Sequence, residues 1–219
     1  NEYIRVPYGS TVHGPDEIEA VVKVLNTSTQ MGLKTKEFES EVARLFNQDY
    51  GLMVNSGSSA LYLAIESIGL ESGSEVITPV LTFATTVGCL VKNSLIPVFV
   101  DVSLPTYNID VSFLEEARSS RIKAVMIAHT LGNPFDLDAV KEFCEKYDLW
   151  LIEDNCDALG STYRGEWTGS FGDVSTSSFY PPHHITMGEG GAVYTSSSHL
   201  KVIIESFRDW GRDCYCPSG

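Results

Sequence analysis

From about residue 50 onward, the chain alternates short apolar, β-branched runs with longer segments in which apolar residues recur every three or four positions. The short runs predict strands and the longer segments predict helices. Strands are predicted at 51–54, 75–79, 96–101, 124–128, 150–154, 176–180 and 191–195, and helices at 58–69, 83–93, 111–117, 137–147 and 199–210. This alternation is typical of an α/β domain with a mostly parallel sheet.

The first 50 residues follow a different pattern, which predicts two helices, at 16–25 and 36–46, and no strand. We expect residues 1–50 to form a helical segment that packs on the main domain or reaches a neighbouring subunit. Residues 51–219 then form the main domain. Because the sequence stops at Cys-Pro-Ser-Gly, without a helix end or a polar tail, we expect a fragment of a longer protein.

Composition narrows the class of protein. With 219 residues, 43% hydrophobic and 20% charged, the chain is long enough for one sizeable core. The net charge of −14 argues against nucleic-acid binding and against docking on anionic membranes, since both need a basic surface. No apolar run of membrane-spanning length and no secretory signal are visible. We therefore expect a cytoplasmic protein.

A polar turn follows the first predicted strand. Asn-Ser-Gly-Ser-Ser at 55–59 opens a predicted helix, so its backbone amides and hydroxyls lie at the positive end of the helix dipole. This arrangement suits a phosphate group. The alternative is a helix cap and tight turn without a ligand.

Two further motifs follow predicted strands. Glu153 and Asp154 end a buried strand, where open α/β sheets bind their ligands. A buried carboxylate needs a cation, either a protonated pyridine nitrogen or a structural Arg or Lys. Since successive strand residues point to opposite faces, Asp154 is the better candidate. Phe83 follows another strand, and its ring could stack on a planar cofactor or belong to the core.

The segment 177–191 has the sequence Ser-Ser-Phe-Tyr-Pro-Pro-His-His-Ile-Thr-Met-Gly-Glu-Gly-Gly. Together with the three motifs before it, and in the same order, this segment resembles the sugar aminotransferase group of fold-type I enzymes that use pyridoxal phosphate (PLP). The resemblance covers essentially the whole chain. Its histidine pair resembles one branch of the group, the iron–sulfur 3-dehydrases of 3,6-dideoxysugar and O-antigen lipopolysaccharide biosynthesis. It implies a fold-type I large domain, with a seven-stranded, mostly parallel sheet between helices in three layers.

The resemblance also implies roles for individual residues. Three of them match positions that hold the cofactor phosphate: Gly57, Ser58 and Ser178. Phe83 matches the ring stacked on the pyridine, and Asp154 matches the carboxylate paired with the pyridine nitrogen. Asp157 stands where relatives usually carry Gln, with the cofactor phenol oxygen as its candidate contact.

His183 occupies the position of the family lysine, five residues before Gly188, and His184 occupies the following Asn position. The lysine of relatives binds the cofactor aldehyde covalently, which histidine cannot do. An imidazole can still move a proton near neutral pH. The substitution therefore favours a dehydratase over an aminotransferase. The alternative is a structural histidine pair without a catalytic role.

The cysteines match a second feature of the same branch. Its [2Fe-2S] cluster is bound by a Cys-x57-Cys-x-Cys-x7-Cys pattern, and Cys156, Cys214 and Cys216 match the first three positions. The fourth would fall at position 224, beyond the sequence. Zinc at Cys214 and Cys216 is an alternative without a supporting Cys or His pattern nearby. We expect Cys89 and Cys144 to be free buried thiols.

The implied reaction is a C3 dehydration of a nucleotide-linked 4-keto-6-deoxyhexose, such as CDP-4-keto-6-deoxyglucose, with pyridoxamine phosphate (PMP) as cofactor. His183 is the expected base. The resemblance further implies reduction through the cluster by a flavin and iron–sulfur reductase that uses NADH. It also implies a homodimer, with a smaller C-terminal domain that is absent from this sequence.

Three alternatives stay open. A GDP-4-keto-6-deoxymannose 3-dehydratase also carries histidine at the lysine position but has no cluster, which the three matching cysteines argue against. A silent scaffold or regulatory domain would not need the serine, aspartate and histidine residues retained here. A working aminotransferase would need a lysine that reaches the cofactor, and no lysine lies between Lys146 and Lys201.

Overall fold

The computed structural model describes residues 3–10 and 12–213. Its main sheet has seven strands: β1 (Tyr50–Val54), β2 (Glu75–Pro79), β3 (Ile96–Val100), β4 (Ile122–Ala128), β5 (Trp150–Asp154), β8 (Val174–Ser178) and β9 (Gly191–Thr195). A separate hairpin is formed by β6 (Thr162–Tyr163) and β7 (Glu166–Trp167). The sheet order is β1-β9-β8-β5-β4-β2-β3, and only β9 runs antiparallel to its neighbours. The predicted mostly parallel, seven-stranded sheet is confirmed.

The described residues form seven α-helices: α1 (Pro15–Thr27), α2 (Leu33–Leu45), α3 (Gly57–Ser67), α4 (Ala84–Lys92), α5 (Leu114–Ala117), α6 (Leu137–Tyr147) and α7 (Ser198–Arg208). Short 3-10 turns lie at Val111–Phe113 and Thr130–Gly132. No helix in the part of the chain that the structure describes is long and apolar enough to cross a membrane.

Neighbouring residues of the central strands are buried on opposite faces of the sheet. On one face, Met126 and Ile152 belong to an apolar cluster that includes residues of α3 and α7. On the other face, Val125 and Leu151 belong to a cluster that includes residues of α6. Apolar burial on both faces is the rule for parallel sheets, and it produces the three layers expected from the sequence.

The N-terminal helices differ in their burial. Helix α2 lies against β1, where Gly51 comes so close that a Cβ at this residue would be 2.4 Å from the carbonyl oxygen of Glu39. Phe46, which follows α2, stacks on Tyr194 of β9 with ring centroids 4.3 Å apart. Helix α1, in contrast, buries none of its residues. Only the second predicted helix is therefore held by the core of this chain.

Several details differ from the sequence-based expectation. Helix α2 begins at Leu33 and strand β4 at Ile122, three and two residues earlier than predicted, and the helix predicted at 111–117 is a 3-10 turn followed by the short α5. Strand β8 begins at Val174, two residues earlier than predicted, because Val174 and Ser175 already pair with Ile152 and Glu153 of β5. The polar run from Ser175 to Ser178 has no alternation that reveals this register. The β6–β7 hairpin was not predicted, since two-residue strands carry no readable period.

Candidate active site

Six parallel strands end at one edge of the sheet, and the candidate residues follow four of these ends. Strand β1 leads into the polar turn at 55–59, called the serine–glycine turn below, and β2 leads into Phe83. Strand β5 ends in Asp154 and is followed by Asp157, and β8 leads into the loop 179–190, which carries His183. The carboxyl edge of an open α/β sheet is the usual place for a ligand site. Motifs separated by up to about 125 residues of sequence are thus brought to the same edge.

The serine–glycine turn forms the start of α3. The Ser56 hydroxyl caps the helix by accepting a hydrogen bond from the Ser59 amide at 3.1 Å. A Cβ at Gly57 would lie 2.5 Å from the Cβ of Ser178 and 3.1 Å from the sulfur of Cys156. Only glycine allows this approach, so the turn, the end of β8 and the acidic strand end are in direct contact. Ser58 is the next residue of the same helical turn.

Asp154 is a nearly buried carboxylate, with 4% of its surface exposed. It accepts hydrogen bonds from the Thr86 hydroxyl at 2.7 Å and from the Cys156 amide at 3.2 Å. None of the ion pairs among the described residues includes Asp154. A buried carboxylate is costly without a cation, so this group is suited to a positively charged ligand.

Glu153 points to the opposite face, as strand alternation predicts. Its carboxylate is fully buried and accepts hydrogen bonds from His129 Nε2 at 2.9 Å and from the amides of Gly169 and Phe171 at 2.8 Å. Burial opposes the charge of Glu153, but the bonds from His129 and the backbone hold its pKa below the usual value. Glu153 is therefore satisfied internally, which leaves Asp154 as the carboxylate available to a ligand.

The imidazole of His183 contacts the second acidic residue of the motif. His183 Nδ1 lies 3.1 Å from Asp157 Oδ1, and the ring packs edge-on against Tyr180 at a centroid distance of 6.3 Å. The side chain of His183 is 16% exposed, whereas that of Asp157 is 49% exposed. His184 is exposed. The loop thus directs one histidine toward the acidic motif and leaves the other at the surface.

Phe83 caps the start of α4 and is 67% exposed at the same edge. It does not belong to the core, so its ring is available to a ligand. Ser178 ends β8 beside Gly57, and its hydroxyl accepts a weak bond from the Tyr180 amide at 3.4 Å.

The cysteines fall into two groups. Cys89 and Cys144 are buried free thiols, as predicted, and burial raises the pKa of each to about 12. Cys156 is partly exposed and lies beside the serine–glycine turn, where burial of its sulfur and the nearby Asp154 raise its pKa well above the usual value. The predicted partners Cys214 and Cys216 lie outside the described residues.

Sequence reasoning missed two residues at this edge. Thr86 donates to Asp154, and its position three residues after Phe83, on the first turn of α4, was the available signal. His129 follows β4 and holds Glu153, but a lone histidine after an apolar strand carries no signal of its own. Both residues fix the orientation of the two adjacent carboxylates at the end of β5.

The residues present fit a PLP-type cofactor. The buried carboxylate of Asp154 has no cationic partner among the described residues and could pair with a pyridine nitrogen, the amide-rich turn at Gly57 can receive a phosphate, and Phe83 offers an exposed ring for stacking. The described residues do not form a comparable site for a metal cluster. Within residues 3–10 and 12–213, no three His, Cys, Asp or Glu side chains are placed to hold a metal ion.

This fold and this edge define a fold-type I cofactor-binding domain of the PLP-dependent class. The chain belongs to the DegT/DnrJ/EryC1/StrS aminotransferase family, whose model matches residues 12–215.

Two curated relatives are similar over nearly the whole chain. The lipopolysaccharide biosynthesis protein RfbH of Salmonella typhimurium is 51% identical over 98% of this chain and 51% of its own length. The dTDP-4-dehydro-2,6-dideoxy-D-glucose 3-dehydratase of Saccharopolyspora spinosa is 49% identical over 97% of this chain and 48% of its own length. The chain therefore spans about half the length of these relatives.

A solved structure is similar in fold. The Escherichia coli GDP-4-keto-6-deoxy-D-mannose-3-dehydratase with bound hydrated PLP superposes with a TM-score of 0.90 at 33% identity. The match covers 94% of this chain and 55% of that chain. The fold-type I architecture expected from the sequence is thereby confirmed.

Proposed function

We propose that this chain is the cofactor-binding part of a PMP-dependent sugar 3-dehydratase, which acts on a nucleotide-linked 4-keto-6-deoxyhexose in deoxysugar and lipopolysaccharide biosynthesis. The observation that carries the proposal is the position of His183. At the loop position where lysine binds the cofactor in aminotransferases, this chain places an imidazole paired with Asp157. The edge therefore keeps a proton-transfer group and lacks a primary amine.

When bound, PMP supplies an amine that can condense with the sugar ketone and a pyridine ring that can accept electrons. Asp154 keeps the pyridine nitrogen protonated, and Thr86 holds that carboxylate in place. The amides of the turn at Gly57 and Ser58, with the Ser178 hydroxyl, bind the phosphate. Phe83 stacks on one face of the ring.

His183 is the proton-transfer group of this proposal. His183 Nδ1 lies 3.1 Å from the Asp157 carboxylate, and the ring packs edge-on against Tyr180. In the tautomer that carries its proton on Nδ1, Nε2 would be free to accept a proton. Nε2 would then take the proton that the dehydration releases and return it to the departing C3 hydroxyl, which would leave the sugar as water.

The relatives support a dehydration but differ in the nucleotide. Their names include a dTDP-linked and a GDP-linked sugar 3-dehydratase. For this chain we propose CDP-4-keto-6-deoxyglucose, because its histidine loop and cysteine spacing resemble the iron–sulfur branch. A cluster-free 3-dehydratase is the second candidate, favoured by the similarity to the GDP-4-keto-6-deoxy-D-mannose enzyme.

We further propose that Cys156 is one ligand of a [2Fe-2S] cluster, together with Cys214, Cys216 and a fourth thiolate beyond residue 219. Cys156 is partly exposed and lies beside the proposed phosphate turn, so a cluster bound there would be close to the cofactor. A flavin and iron–sulfur reductase would then supply electrons. Iron and sulfide analysis of anaerobically purified protein extended past residue 219 tests this, and iron-free protein would favour the cluster-free candidate.

The domain arrangement is part of the same proposal. Residues 51–219 form the cofactor-binding domain, and residues 1–50 a segment that packs on it through α2 and reaches a second subunit of a homodimer through α1. The absence of any buried residue in α1 supports this division.

Reduction with borohydride after incubation with PLP tests the proposed function. We expect no pyridoxyl-lysine adduct in the intact mass of the native chain, while PMP binds reversibly by absorbance titration. A His183→Lys variant should gain the adduct, because it restores a primary amine at the loop position. A native adduct would contradict the dehydratase proposal, and failure of the native chain to bind PMP would favour a silent scaffold.

A further inference from the structure

The loops at the carboxyl edge of the sheet contain little positive charge. Six segments follow the strands at this edge: 55–56, 80–83, 101–110, 129–136, 155–173 and 179–190. Arg164 is the only lysine or arginine in them, and it pairs with Asp138. Under the proposed function, the amides at the start of α3 hold the cofactor phosphate. A nucleotide-sugar diphosphate bound at this edge would therefore find no unpaired cation in these loops.

The N-terminal segment lies against the histidine loop. A Cβ at Gly9 would be 3.3 Å from both the nitrogen and the Cβ of Pro182, so the backbone of Gly9 packs directly on this proline. Pro182 immediately precedes His183. The segment 3–10 forms no helix or strand, and its side chains are exposed, including Arg5 and Tyr8. A charged, extended segment is thus anchored next to the proposed base.

We propose that residues 5–9 form one wall of the nucleotide-sugar site and that Arg5 binds the substrate diphosphate, an inference that rests on the proposed function. Four extended residues span at most about 14 Å, so contact at Gly9 keeps Arg5 close to the histidine loop. A guanidinium presents a fork of N–H donors that matches phosphate oxygens, and it stays charged at any physiological pH. Arg5 supplies the charge that the edge loops lack.

The identity of Gly9 follows from the same arrangement. A Cβ at this position would lie 3.3 Å from the backbone nitrogen of Pro182, which a shift of a few tenths of an ångström relieves. The two further methyl groups of a valine would need more room, so that side chain should push the segment away from the histidine loop, and Arg5 with it. Gly9 thus acts as the anchor and Arg5 as the ligand-binding residue.

Titration of the full chain, loaded with PMP, against CDP, GDP and dTDP tests this assignment by calorimetry. We expect Arg5→Gln to raise the Kd of the preferred nucleotide at least about tenfold, the loss typical of one charge-assisted contact. Gly9→Val should also raise this Kd, because the segment 5–9 would be displaced from Pro182. Arg44→Gln is the matched control, since Arg44 is an exposed arginine of α2 paired with Glu41. It should leave nucleotide binding unchanged.

The outcomes separate the two proposals. An unchanged nucleotide Kd in Arg5→Gln, with PMP still bound, would overturn the role of Arg5 and leave the proposed function intact. An equal loss in Arg44→Gln would also overturn it, because the effect would then be one of overall charge. If the native chain binds PMP but none of the three nucleotides, both proposals fail.

Discussion

At the scale of single residues, the two neighbouring carboxylates at the end of β5 have opposite surroundings. Glu153 is satisfied by His129 and by backbone amides, whereas Asp154 has neutral donors and no cation among the described residues. One carboxylate therefore stabilises the fold and the other is available for a ligand. The alternation of strand residues predicted that the two side chains point apart, but the partners that satisfy Glu153 were not predicted.

Acid should remove the stabilising contribution of Glu153. Its pKa is lowered in the folded chain, so its contribution is fully present above the unfolded value near 4.5 and is lost as the pH falls through the folded value. We expect Glu153→Gln to lower the free energy of unfolding at pH 7 by about 3 kcal/mol, since the amide loses the charge that its donors satisfy. Urea denaturation at pH 7, 5, 4 and 3 measures this.

The difference between native chain and Glu153→Gln should shrink below pH 4.5. Glu115→Gln is the control, because Glu115 also has a lowered pKa but pairs with Lys146 at the surface. It should change stability little at any pH. A constant difference for Glu153→Gln down to pH 3 would show that the carboxylate charge is not what the fold uses.

The contact of His183 with Asp157 could not be predicted from the sequence. The residue types at both positions were available, but the two residues are 26 positions apart with three strands between them, and the path of the loop 179–190 decides whether they meet. Strand order carried no local signal either, since β8 lies parallel to β5 only because the segment between them, which includes the β6–β7 hairpin, returns the chain to the opposite edge of the sheet. Residue types were thus predictable, and the partners of these residues were not.

At the scale of elements, the start of α3 comes close to the end of β8 because a glycine stands there. Gly57 starts α3 in contact with Ser178 at the end of β8, so the position of the turn depends on the absence of a side chain. The N-cap hydroxyl of Ser56 fixes the helix start independently. Helix and strand can therefore place their amides and hydroxyl around one phosphate.

A methyl group at this contact should be costly. Gly57→Ala would place a Cβ 2.5 Å from the Cβ of Ser178, and we expect a loss of about 1–3 kcal/mol in the free energy of unfolding. PMP affinity should fall as well, because α3 must shift. Gly88→Ala is the control, since a Cβ at Gly88 of α4 meets nothing within 4 Å and alanine favours the helix by up to about 1 kcal/mol. Equal effects of the two variants would contradict this account.

At the scale of the whole molecule, an ion pair between Glu39 and Arg208 joins helix α2 to the main domain. Glu39 of α2 accepts a hydrogen bond from the Met53 amide of β1 at 2.9 Å and one from Arg208 Nη1, at the end of α7, at 2.5 Å. Arg208 also pairs with Asp209. Its side chain is only 12% exposed, so the three elements share one largely buried ionic contact.

Removing the negative charge of Glu39 should lower the stability of the folded chain. We expect Glu39→Gln to lower the free energy of unfolding by about 1–3 kcal/mol, because Arg208 then keeps a partly buried positive charge with fewer acceptors. Glu41→Gln is the matched control, since Glu41 forms an exposed pair with Arg44 on the same helix and should cost less than about 0.5 kcal/mol. Urea denaturation provides both values. If Glu39→Gln matches its control, the packing of Phe46 on Tyr194 must carry the junction instead.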